Sequence, residues 1–264
     1  MNRASMDRPH RWAAWGLSIL FLFFPLLRLP GIVQPVFAQG MELEVVALGD
    51  SIARGYGCDP GDAYGCLLAE KLQTRFAGKG LDVSFQNFGV DGQTSAELLE
   101  SVESGTIKDA VSETDILTIS IGGNDLLQYL GNTMREVLQI PLDSSTPGRD
   151  FLLQLRENGG KELSSLLQSL VHSVQNGDFT AGLEKTVAAF ENTMTRLLDF
   201  LLGQNPDVLL LLTPIPNPAG GTWLGGTVDF LLRGFNERLR DGFGNPQVFV
   251  VDTAAAFQAY DGEE

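Results

Sequence analysis

The sequence predicts an α/β protein: a flavodoxin-like, three-layer α/β/α sandwich with a five-stranded parallel sheet and a helical insertion after the third strand. Two observations predict it. Short apolar runs rich in Val, Ile and Leu recur along the chain, separated by segments with apolar residues at helical spacing. Three of those runs stop abruptly at polar, glycine-containing turns, as strands do at the ligand-binding edge of an open parallel sheet. The 264 residues are 44 % hydrophobic, enough to build a sizeable core.

The first strand is Leu43 to Leu48, ending at Gly49-Asp50-Ser51. Ile52 to Ala63 reads as a glycine-rich loop with a turn at Asp59-Pro60-Gly61. Leu67, Leu68, Leu72 and Phe76 give Tyr64 to Phe76 a helical period, which Gly78 and Gly80 end. Leu81 to Asn87 alternates apolar and polar residues and reads as the second strand. It leads into Phe88 to Ser95, where Thr94 or Ser95 caps the helix through Leu98 and Leu99. Asp115 to Ile121 is rich in β-branched residues and forms the third strand, stopping at Gly122-Gly123-Asn124-Asp125. Leu126 to Leu138 is helical, Pro141 to Asp150 a loop, and Phe151 to Leu202 helical nearly throughout. That is longer than one crossover needs, so an added helical layer over about 141–203 is expected near the site. Val208 to Leu212 is the fourth strand, and a stiff proline-rich loop follows from Thr213 to Gly221. Thr227 to Arg240 is a helix, and Gln247 to Val251 the fifth strand, ending at Asp252.

Residues 1–38 read as a signal peptide. Arg3, Arg8 and Arg11 precede an apolar run from Trp12 to Leu27, and Val36-Phe37-Ala38 offers a cleavage site. The alternative is a retained membrane anchor, although Pro25, Arg28 and Pro30 interrupt the run. The expected location is therefore secreted, periplasmic or at the cell surface. A net charge of −15 argues against nucleic acid or an anionic membrane surface as a partner. Cys58 and Cys66 are close in sequence, and in an exported chain they are expected to form a local disulfide. No Cys/His cluster has metal-ligand spacing and no phosphate loop follows the first strand, so neither a metal nor a cofactor is implied.

The turns carry the chemistry. In a parallel sheet Gly49-Asp50-Ser51, Gly89 to Thr94 and Gly122 to Asp125 lie on one edge, which brings Ser51, Gly92 and Asn124 together. Glycine leaves backbone N–H groups uncovered, and the Asn side chain adds an amide donor. A serine hydroxyl beside such donors suits attack on a carbonyl followed by stabilisation of the resulting O⁻.

These motifs resemble those of the SGNH hydrolases, also called GDSL lipases and esterases. Gly49-Asp50-Ser51-Ile52, Asn87 through Ser95, and Ile121 to Asp125 appear in the family's order, each after a strand. The resemblance implies Ser51 as nucleophile, with the Ser51 N–H, the Gly92 N–H and the Asn124 side chain as oxyanion hole. Gly89 fits the family spacing less well than Gly92. Asp50 would bond turn amides, and Asp125 would orient the Asn124 turn or cap the following helix. The implied substrate is a small-molecule or lipid ester. A carbohydrate acetyl esterase on the same site, and a non-catalytic cell-surface protein that kept the fold, are the alternatives.

The resemblance departs at its fourth motif. The family's Asp-x-x-His, which supplies the general base, does not follow the fifth strand. The two histidines are His10, in the export segment, and His172, in the helical insertion. Asp252 and Asp261 stand near the right place without a histidine to orient. The chain therefore reads as ending before its base-bearing loop, and little hydrolase activity is expected from it. Trp223 and Tyr56 are candidates for lining a substrate pocket or for packing.

Overall fold

The computed structural model describes residues 41–59, 61–138, 177–217 and 225–253. Five strands form one sheet: β1 (Met41–Gly49), β2 (Leu81–Asn87), β3 (Ile116–Ser120), β4 (Leu209–Leu212) and β5 (Val248–Val250). Every pairing is parallel and the order is β2-β1-β3-β4-β5, the doubly wound order that the alternation predicts. The helices are α1 (Ser51–Arg54), α2 (Tyr64–Arg75), α3 (Ser95–Glu103), α4 (Lys108–Glu113), α5 (Gly123–Leu138), α6 (Asp178–Gln204) and α7 (Gly225–Arg240).

Val45 to Leu48 of β1 and Ile116 to Ser120 of β3 are buried on both faces, which is why apolar residues dominate both runs. Register sets the two cores. Val46, Leu117 and Leu210 lie side by side, as do Leu48, Ile119 and Leu212, and both rows face α3 to α7. Leu43, Val45 and Ile116 point the other way, toward Ala69 and Phe76 at α2. One sheet between two helical layers results.

The long segment between β3 and β4 differs from expectation. Within the predicted insertion, the span from Asp178 onward is the crossover helix itself. Seven residues of α6, from Phe179 to Leu201, are buried, and they belong to the main core. Residues 141–176, with His172, lie outside the described part. The chain's two ends of this connection meet where the Tyr129 hydroxyl donates to the Phe179 carbonyl at 2.5 Å.

Two short helices also depart from expectation. Ile52 to Arg54, read as the start of a loop, belong to α1, which Ser51 opens, and α4 lies where no helix is predicted. The proline-rich loop after β4 is pinned by one buried side chain: Asn236 accepts from the Ile215 N–H at 2.7 Å and donates to the Ile215 carbonyl at 2.9 Å.

Candidate active site

The site begins at Gly49, whose φ of +133° is open to glycine alone. A Cβ there would lie 1.9 Å from the Ser120 carbonyl oxygen, so the β1 and β3 ends approach as only glycine permits. The Asp50 N–H donates to that same carbonyl at 3.0 Å. Asp50 then caps α1, its side chain accepting from the Ile52 N–H at 2.9 Å. Bonding a turn amide is the role expected of it. Ser51 follows as the first residue of the helix, half-buried, where backbone N–H groups lack intrahelical partners.

The second turn is stitched to the first. The Val90 N–H donates to the Gly49 carbonyl at 2.9 Å, and the Asn87 amide donates to the Ala53 carbonyl at 2.9 Å. Gly89 is consumed by packing: a Cβ on it would lie 2.4 Å from the Arg54 nitrogen, and its N–H already donates to Asn87 Oδ1. Gly92 is different. It has φ +79° and open space where a Cβ would stand.

The third turn closes on the second. Asn124 Nδ2 donates to the Gln93 carbonyl at 3.0 Å. Asp125 neither stays within its own turn nor caps only its own helix. It accepts from the Ser95 N–H at 2.9 Å and from the Ser95 hydroxyl at 2.5 Å, joining α5 to the start of α3. Thr94 completes that junction as the N-cap of α3, with a reciprocal capping box to Glu97. Ser51, Gly92 and Asn124 thus sit on three turns tied to one another at the carboxyl edge of β1, β2 and β3.

The edge is acidic and partly buried. Desolvation pushes the Asp50 carboxyl up to about 6, despite the Ile52 amide, and the charges of Asp125 and Asp91 push the same way. Asp125 is also raised, by burial first, against the hydrogen bonds from Ser95.

The expected disulfide is not formed. Cys58 and Cys66 are free thiols, Cys58 exposed in the loop and Cys66 half-buried in the first turn of α2. The loop takes its shape from backbone turns instead, the Cys58 N–H donating to Gly55 and the Asp62 N–H to Asp59. Tyr56 is exposed, its N–H bonded to the Ser51 carbonyl at 2.8 Å. Asp252 faces α7, where it accepts from Arg240 Nε at 2.9 Å. Trp223, Asp261, His10 and His172 lie outside the described residues. The Asp-x-x-His spacing does occur at Asp7-Arg8-Pro9-His10, ahead of the sheet and likewise outside them.

Sequence reasoning missed Arg54 and Asp91. They form an ion pair between α1 and the Gly92 loop. Glycine and serine turns have local signatures, but a contact between residues 37 apart has none.

The spore germination lipase LipC of Bacillus licheniformis is 27 % identical to this chain over 229 residues, 84 % of this chain and 85 % of LipC. An uncharacterized protein of Bacillus subtilis, YpmR, is 28 % identical over 101 residues, and the match spans 39 % of that protein's length. Among solved structures, the lipase Lip_vut3 from a goat rumen metagenome shares the fold, with a TM-score of 0.56 at 21 % identity, covering 82 % of this chain and 83 % of that one. The family model for GDSL-like lipases and acylhydrolases matches residues 47–264, a span that holds all three turns. With the parallel sheet and the tied turns, that match establishes that the chain belongs to the GDSL-like lipase/acylhydrolase family.

Proposed function

We propose that this chain is an exported serine ester hydrolase working through an acyl-enzyme on Ser51. The observation that carries the reading is the stitching of the three turns. The Val90 N–H reaches Gly49 and the Asn124 amide reaches Gln93, so the nucleophile and both partner donors share one rigid edge. Export rests on the arginine-then-apolar N-terminal segment.

In the proposed reaction Ser51 Oγ attacks the ester carbonyl carbon. The developing O⁻ accepts from the Ser51 N–H, the Gly92 N–H and the second amide hydrogen of Asn124. Collapse expels the alcohol, which takes a proton, and water then releases the acid. The Ser51 proton needs an acceptor, and no histidine lies among the described residues. We infer that these 264 residues assemble the nucleophile and the oxyanion donors yet turn esters over slowly.

Imidazole in solution tests both halves. It should accelerate p-nitrophenyl butyrate hydrolysis by the 264-residue chain above the background set by Ser51→Ala. A fluorophosphonate should label the wild type and not Ser51→Ala. Equal rates for the two proteins with imidazole would overturn the nucleophile assignment. Fast, Ser51-dependent turnover without imidazole would overturn the impairment.

A further inference from the structure

We propose that Arg54 and Asp91 form a positioning pair that orients the Gly92 N–H and neutralises the carboxylate beside it, a role that rests on the reading of Ser51 and Gly92 given above. Arg54 is the last residue of α1, three positions after Ser51. Its guanidinium meets the Asp91 carboxylate in an ion pair across the gap between the two turns. The peptide that links Asp91 to Gly92 carries the N–H assigned to the oxyanion in the reaction proposed above. The pair therefore ties the two backbone donors of the site to each other.

The other ties between these turns stop short of that peptide. Asn87 holds Ala53, Gly89 packs on the Arg54 backbone, and the Val90 N–H holds Gly49. On the far side the Gln93 N–H closes a turn onto the Val90 carbonyl at 3.2 Å, and the Gln93 carbonyl is held by Asn124. Asp91 and Gly92 are the central residues of that turn, Gly92 at φ +79° with open space where a Cβ would stand, and the peptide between them takes no part in the closing bond. The Asp91 carboxylate on Arg54 is the side-chain contact at that point in the loop.

The same pair settles an electrostatic conflict. A carboxylate one residue from a donor to an oxyanion opposes the charge that develops there. The field of Asp91 reaches this site, because it raises the pKa of Asp50. A guanidinium on Asp91 sets an opposite charge against that carboxylate while fixing the loop. Both side chains are about half exposed, at 58 % and 40 %, so the pair contributes little to global stability. Its effect is on where one peptide points and what charge stands beside it.

Reversing and then swapping the charges separates this role from a structural one. Arg54→Glu sets two anions against each other across the gap between α1 and the loop, and Arg54→Glu with Asp91→Arg restores the pair in the opposite sense. The readouts are the rate constant for fluorophosphonate labelling of Ser51 in imidazole buffer, and backbone hydrogen exchange across residues 89–93. Removing one oxyanion donor outright costs about 10²–10³ in rate, so loosening one should slow labelling about tenfold in Arg54→Glu. Exchange in the loop should quicken by a similar factor, about tenfold, with the thermal midpoint nearly unchanged. The swapped protein should recover both to within about threefold, since only the pair contact is common to it and the wild type. Wild-type exchange in Arg54→Glu, or a swap as slow as the single variant, would overturn the proposal. If the wild type fails to label at all, the hydrolase reading fails, and the exchange arm alone still decides the pair.

Discussion

Asn124 carries two amide hydrogens, and the fold uses one of them to hold the Gln93 carbonyl at 3.0 Å. The second remains for a substrate oxygen. One side chain thus clamps the Gly92 loop and, in the proposed reaction, donates to the oxyanion. Asn124→Ala should slow fluorophosphonate labelling of Ser51 by about 10²–10³, the usual loss for an oxyanion donor. A loss under about threefold would mean that Asn124 is a clamp only. The turns that hold Ser51, Gly92 and Asn124 were legible in the sequence because their residue types have a local reason. Gly49 and Gly92 have positive φ, and Asp50 caps the amide two residues on. The partners of those residues were not legible. Asp125 bonds Ser95 across 30 positions, and nothing local predicts which of several acidic side chains makes that reach.

Helix α6 joins the core to the site. Phe190 is 1 % exposed, its ring centroid 5.1 Å from that of Phe235 and 6.2 Å from that of Phe243. It also underlies the third turn, since a Cβ on Gly122 would lie 2.9 Å from its ring. Phe190→Ala should cost about 3–5 kcal/mol, because neighbours on three elements cannot all collapse into the space. The check is a urea midpoint lowered at unchanged slope. A loss under about 1 kcal/mol would show that the cluster repacks freely. At this scale the strands were legible to within two residues at each end, because burial makes the central runs largely apolar and the half-exposed edge strand β2 alternates. The short helices α1 and α4 were not, as four and six residues do not fill two turns and show no period. The role of α6 escaped for another reason. Periodicity marks Asp178–Gln204 as helical but not which surface it covers, and its buried stripe faces the same core as Leu117 and Ile119.

The whole molecule is acidic, with a net charge of −15, and its site edge buries two carboxylates that resist ionisation. Both features make stability fall as pH rises. In the unfolded chain Asp50 titrates near 3.8, and in the fold near 6. Between those values the folded state holds the proton that the unfolded state has released. Stability from this group is therefore greatest below 3.8, declines up to about 6 and is flat above it. The shift corresponds to about 3 kcal/mol. Asp125 adds to the decline in the same direction. General charge repulsion also weakens as pH falls toward the isoelectric point near 4.5. The two causes separate with salt, which screens exposed charges but not the desolvation of a buried carboxyl. In high salt the wild type should still show a higher urea midpoint at pH 5 than at pH 7.5. Asp50→Asn should flatten that rise, while its Oδ1 keeps the bond from the Ile52 N–H. An Asp50→Asn protein with the full wild-type rise in high salt would show that the pH dependence belongs to the surface, not to the turn that carries Ser51.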